Sequence, residues 1–211
     1  MGTNMLKTGF LITVILFLLS ASCNKDKTSC LSSLATYSFD ASAEWLPERE
    51  IYNIGDTIFI ASLIPKMLID KISNTPIEYS NAVEIGGSII FNCVDTNART
   101  VVAGKDSFNY VSIVGDLKEP DITPEKGKFI RYSEKATNYE FKAGIVCQKR
   151  GIYMISFADL LCPGLRRINC TKATFTITIT NTNKHVSLYQ NALGITLDAE
   201  SLKKIYCFRV M

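Results

Sequence analysis

The amino-acid sequence predicts an all-β fold, an antiparallel β-sandwich carrying one or two short helices. Three observations lead there. Apolar and polar side chains alternate with a period of two in several segments, the segments are short and rich in β-branched and aromatic residues, and Gly, Asn, Asp and Pro punctuate them. The clearest case is Ala173-Thr174-Phe175-Thr176-Ile177-Thr178-Ile179-Thr180, where every second residue is a threonine. A strand with one wet face sorts that pattern and a helix does not.

In chain order the expected strands are 36–41, 57–61, 88–94, 108–114, 139–147, 152–157, 173–180, 186–189 and 205–210. In 139–147 the set Tyr139, Phe141, Ala143, Ile145 and Cys147 alternates with Glu140, Lys142, Gly144 and Val146, so the first set faces the core. Helix signals are fewer. Asp198 precedes Ala199-Glu200-Ser201-Leu202-Lys203-Lys204, where it can cap free backbone amides while the lysines suit the carboxyl end. A short helical turn is expected near 78–83. From Cys30 onward there is no repeat, low-complexity tract or Pro/Gly/Ser-rich linker, so residues 30–211 form one domain.

Two segments sharpen the architecture. Tyr52-Asn53-Ile54-Gly55-Asp56-Thr57-Ile58-Phe59-Ile60 resembles the turn-then-strand entry of bacterial immunoglobulin-like domains. Gly151-Ile152-Tyr153-Met154-Ile155 is similar to the late strand of such sandwiches, whose tyrosine hydroxyl bonds back to an adjoining turn. The resemblance implies an immunoglobulin-like sandwich.

The first 22 residues read as an address. Lys7 is followed by the apolar run Phe10 to Leu19 and by Ser20-Ala21-Ser22, the layout of a secretory signal peptide. The run is about half the roughly 20 residues a membrane-spanning helix needs. Leu19-Ser20-Ala21-Ser22-Cys23 resembles the lipobox of bacterial lipoproteins, with Ser20 where leucine is usual. That resemblance implies cleavage before Cys23, acylation of its thiol and attachment to the cell envelope, at the outer membrane. Two or more acyl chains hold a protein on a bilayer for long times. The competing reading is an ordinary cleaved signal whose Cys23 joins a disulfide. Residues 23–29, charged and polar, form a tether.

Seven cysteines stand beside one histidine. Setting Cys23 aside leaves six in an exported chain, where disulfides are the default. Cys162 and Cys170 flank Pro163-Gly164, and a bridge closing so short a loop contributes about 2.6 kcal/mol in the chain-entropy model. Cys93 and Cys147 face inward on their strands, either as a bridge between sheets or as buried thiols that pack as small hydrophobes. No Cys-x-x-Cys is present, His185 lies in a polar turn as a solvated residue, and neither a metal site nor a cofactor is expected.

Composition excludes several functions. A formal charge of +3 is too mild for a nucleic-acid partner. A single histidine removes most Ser-His and Cys-His mechanisms. Ser201-x-x-Lys204 matches a serine-lysine pattern without its partner motifs, and the exposed side of a helix accounts for it. Val94-Asp95-Thr96-Asn97 reads as a hairpin turn rather than a calcium loop. Paired carboxylates from Asp40, Glu44, Asp95 and Asp106 could serve glycoside hydrolysis. Trp45, the only tryptophan, is either core or a ligand contact that stacks on a sugar. The expected function is a membrane-anchored, non-enzymatic binding, adhesion or envelope-assembly domain with a glycan or envelope-protein partner. The alternatives are a glycan hydrolase and a structural subunit of a membrane complex.

Overall fold

The computed structural model describes residues 36–119, 127–164 and 171–211. The signal segment, Cys23, the tether, Cys30 and Cys170 lie outside the described residues. Two layers of strands face each other. The first runs β8 (Phe108–Val114), β12 (Asn138–Cys147), β3 (Thr57–Pro65), β1 (Thr36–Leu46), β15 (Lys172–Ile179). The second is built on β10 (Gly127–Arg131), β6 (Gly86–Asp95), β13 (Gly151–Phe157) and β16 (Ile205–Val210), with β9 (Asp116–Lys118), β7 (Thr100–Ala103) and β2 (Ile51–Tyr52) at its margins. Strand β14 (Leu160–Cys162) pairs with β15 and touches β6, joining the layers along one side. β4 (Met67–Ile69) and β5 (Pro76–Glu78) form a separate hairpin, and β11 (Ser133–Glu134) pairs with β12.

Ring contacts show that the layers stack. Phe108 of the first layer lies 4.7 Å from Tyr153 of the second, and Trp45 stacks on Tyr206 at 5.5 Å with 13° between planes. The alternation read from the sequence places these side chains: Ala173, Phe175, Ile177 and Ile179 of β15 are buried while the threonines between them point away. The fold is thus the expected all-β sandwich. Gly115, at φ +72°, carries the chain from β8 in one layer to β9 in the other, and a Cβ there would collide with the Arg131 carbonyl oxygen. Only glycine fits that crossing.

Both quoted motifs are formed. The Asn53 carbonyl accepts from the Asp56 amide at 3.0 Å, Gly55 adopts φ +91°, and β3 follows. The Tyr153 hydroxyl donates to the Lys149 carbonyl at 2.9 Å, tying β13 to the turn before it.

Three expectations are corrected. Pairing is not wholly antiparallel: β1–β15 and β2–β16 run parallel, which the long stretches of chain between them allow. The expected strand at 186–189 opens a helix, α1 (Val186–Leu193); Val186, Tyr189, Ala192 and Leu193 share one side at helical spacing, which four residues are too few to reveal. The segment 78–83 is not helical, because β5 ends at Glu78 and Asn81 takes φ +59°. The second helix, α2 (Ala199–Lys204), is capped as expected, with Asp198 accepting from the Glu200 and Ser201 amides at 2.9 and 2.8 Å.

Candidate functional site

The two outer faces of the sandwich carry different loads. On the second layer the outward residues Val94, Ile152, Met154, Ile205 and Cys207 are apolar, and α1 and α2 lie over them with Tyr189, Leu193 and Leu202. On the first layer the outward residues are also apolar over part of their area, yet no described element covers them.

Register defines that bare face. Val111 of β8 lies opposite Gly144 of β12, Gly144 opposite Phe59 of β3, and Phe59 opposite Leu46 of β1, so one row crosses four strands. Val111 is 52% exposed, Leu46 40%, and Leu63, on the same side of β3, 54%. Phe59 is half-buried because its ring lies across Gly144: a Cβ on that glycine would meet the ring edge at 3.5 Å. Glycine gives the ring a floor of backbone. The Lys142 ammonium sits 5.8 Å from the Phe59 ring centre. Beside the row is a shallow depression of ≈ 340 Å³ over Ala61 and Ser42, flanked by Glu44 and Glu140.

A wider open cleft of ≈ 650 Å³ lies between Lys66, Asp116, Arg131 and Glu134. Most of its charges are already paired: Lys66 with Glu134 at 2.8 Å inside the cleft, and Arg131 with Glu84 and Asp116 with Lys118 at its margin. A surface ion-pair cluster describes it.

The sequence-derived candidates fall elsewhere. Trp45 is fully buried between Phe157 and Tyr206, so the sugar-stacking role is overturned and the core role stands. Its loop is locked: Asn181 bonds both backbone groups of Trp45 at 2.8 and 2.9 Å, while Glu48 accepts from the Asn183 and Thr182 amides. His185 is not solvated. Its side chain is 9% exposed, edge-on to Tyr206 at 5.8 Å and 3.5 Å from Glu50, a burial set by residues remote in sequence.

Cys93, Cys147, Cys162 and Cys207 are free thiols. The Cys93–Cys147 bridge is therefore not formed, and both pack instead: Cys147 is fully buried, and Cys93 sits beside the Tyr153 ring. Burial pushes the Cys147 thiol up to about 11 and Cys207 to about 12, which keeps them protonated at neutral pH. Cys162 donates to the Gly164 carbonyl at 3.2 Å; its proposed partner Cys170 lies outside the described residues.

Four described carboxylates are displaced from their ordinary proton affinity, all downward. Backbone amides hold Glu48 and Asp70 low, Lys128 holds Glu119, and Ser201 holds Asp198. A glycosidase acid at neutral pH needs the opposite displacement. Asp40 pairs with Lys71 at 2.7 Å, and Asp106 approaches Lys105 at 3.4 Å. Asp95 caps the turn amides of Asn97 and Ala98, as the hairpin-turn reading expects. Ser201 bonds Asp198 and Lys204 pairs with Asp159, so the serine-lysine motif is occupied by helix capping and surface pairing. Among the described residues no group of three or more His, Cys, Asp or Glu side chains is placed to hold a metal ion.

Sequence reasoning missed Phe59, Gly144, Leu63 and Val111 as a group. The available signal was Ile58-Phe59-Ile60-Ala61, an unbroken apolar run where one wet face would require alternation.

No family model and no curated protein matches the chain. Among solved structures, a cohesin module of a Clostridium perfringens family 33 glycoside hydrolase is similar at 8% identity and TM-score 0.32, over 67% of this chain and 98% of that one. A type II cohesin domain from the Acetivibrio cellulolyticus cellulosome has 10% identity and TM-score 0.30, over 65% and 91%. AvmM, which catalyses macrocyclization in alchivemycin A biosynthesis, has 12% identity and TM-score 0.31, over 64% and 84%.

Proposed function

We propose that this chain is a lipid-anchored binding domain of a bacterial cell envelope, without an enzymatic role, whose working surface is the bare outer face of the β8–β12–β3–β1–β15 layer. One observation carries the reading: apolar rows stand on both outer faces, and among the described residues helices cover only one of them. An apolar row laid across a flat, polar-rimmed sheet suits contact with another macromolecule better than turnover of a small molecule. The anchor reading rests on the lipobox-like segment ending at Cys23.

The binding half is tested by placing a photo-cross-linking amino acid at Val111 or at Gln190 in the full chain, in its native envelope. Adducts from position 111 and none from position 190, on the helix-covered side, are expected; the reverse pattern overturns the assignment. The anchor half has its own test. Cys23→Ala should release the protein from membranes and abolish incorporation of radiolabelled palmitate, and retention without acyl mass refutes it.

A further inference from the structure

We infer that the partner of the bare face is a protein that inserts a lysine or arginine side chain between Glu44 and Glu140, with an apolar side chain beside it against Phe59 and Leu63. This rests on the binding-face reading above and names the chemistry of what is bound there.

The placement is set by register. Glu44 on β1 lies opposite Ala61 of β3, and Glu140 on β12 lies opposite Leu63, so the two carboxylates stand on either side of β3 in adjacent rows. Ala61 is too small to fill the space between them, and the ≈ 340 Å³ depression results. Among the described residues neither carboxylate has a hydrogen bond or an ion pair within 4.0 Å. Lys142 is directly opposite Ala61 and two residues from Glu140, yet its ammonium sits over the Phe59 ring. Asp40, further along β1, is already paired with Lys71. Glu44 and Glu140 are thus the carboxylates of this face without an ion pair among the described residues, and both flank the depression, beside a Lys142 ammonium engaged only with the Phe59 ring.

Desolvation decides the occupant. Anything laid over Phe59 and Leu63 also covers Glu44 and Glu140, because they share those rows. Two carboxylates stripped of water without a counter-charge oppose docking, and a cation placed between them removes the penalty. The surrounding side chains, Leu46, Leu63 and Val111, are aliphatic, with one aromatic among them. Sugars bind best on aromatic platforms, whereas aliphatic rows with a polar rim match protein side chains.

The test is selection of a displayed random-peptide library on the full-length lipoprotein, followed by binding of the enriched peptides to variants. Enriched peptides should carry Lys or Arg next to an apolar residue and lose about tenfold or more in affinity for the Glu44→Gln/Glu140→Gln double variant. Glu44→Lys/Glu140→Lys should select acidic peptides instead. Peptides that lack a basic residue, or that ignore the glutamine variant while losing affinity for Phe59→Ala, overturn the charge inference and leave the binding face standing. Peptides insensitive to all these changes, or no enrichment, overturn both.

Discussion

The two outer faces of the sandwich are built alike and finished differently. Each carries outward apolar side chains, Val94, Met154 and Ile205 on one, Phe59, Leu63 and Val111 on the other. Over the first, the connection from β15 to β16 folds into α1 and α2 and closes a second small core around Tyr189 and Cys207. Over the second, no described segment closes anything. Outward apolar residues in a β-sandwich thus report on cover: where described helices lie over them they are core, and where no described element does they stand exposed, as the proposed binding face requires.

The largest effect that could break this comparison comes from the covered side. Tyr189 is 4% exposed at the centre of α1, so Tyr189→Ala should cost about 3 kcal/mol in denaturant unfolding. A loss near zero would mean that the helices are not part of the folded core.

A second effect concerns acid. Beyond its pairing with β3, the edge of β1 is closed by the β4–β5 hairpin: the Ser38 amide donates to the Asp70 carboxylate at 2.9 Å, and the Lys71 amide to the Ser38 carbonyl at 2.8 Å. The Ser38 and Ser73 donors hold Asp70 at about 2, below its ordinary 3.8. Because the folded state favours the ionised form, its contribution is complete above the ordinary value and is lost as pH falls from there toward about 2. Asp70→Asn should flatten the fall in melting temperature across that window, and an unchanged acid profile would show that the latch carries no weight.

The smallest effect belongs to the bare face. Phe59→Ala should cost about 1–2 kcal/mol, less than Tyr189→Ala, because part of its ring stays in water, while abolishing partner cross-links at position 111. A loss as large as that at Tyr189 would make Phe59 a core residue and erase the distinction between the faces.

How much of this was legible in the chain depends on the range of the interaction. The strand β15 was readable because its threonines alternate locally with apolar residues, and α2 because Asp198 stands one residue before it. The Tyr153 hydroxyl bond was implied by the resemblance of 151–155 to a late immunoglobulin-like strand, and the turn it reaches is four residues away. What failed was tertiary. Val186 looked extended because a short β-branched segment has no visible helical period. His185 looked solvated because Glu50 and Tyr206, which bury it, are remote in sequence. The parallel partners of β1 and β2 leave no local mark. Phe59 was visible as one residue of an apolar run, but such a run reads the same whether a strand is covered on both sides or on one. Only the position of α1 and α2, over the other layer, decides which applies.

The most direct measurement of the proposed binding face is oxidative footprinting of side chains in the full chain, once purified and once in the cells that produce it. If the bare face binds a partner, Phe59, Leu63 and Leu46 are oxidised in the purified protein and protected in the cells, while Leu193 and Leu202 are modified equally in both. Equal oxidation of Phe59 and Leu63 in the two states, or protection confined to the helix-covered side, would contradict it.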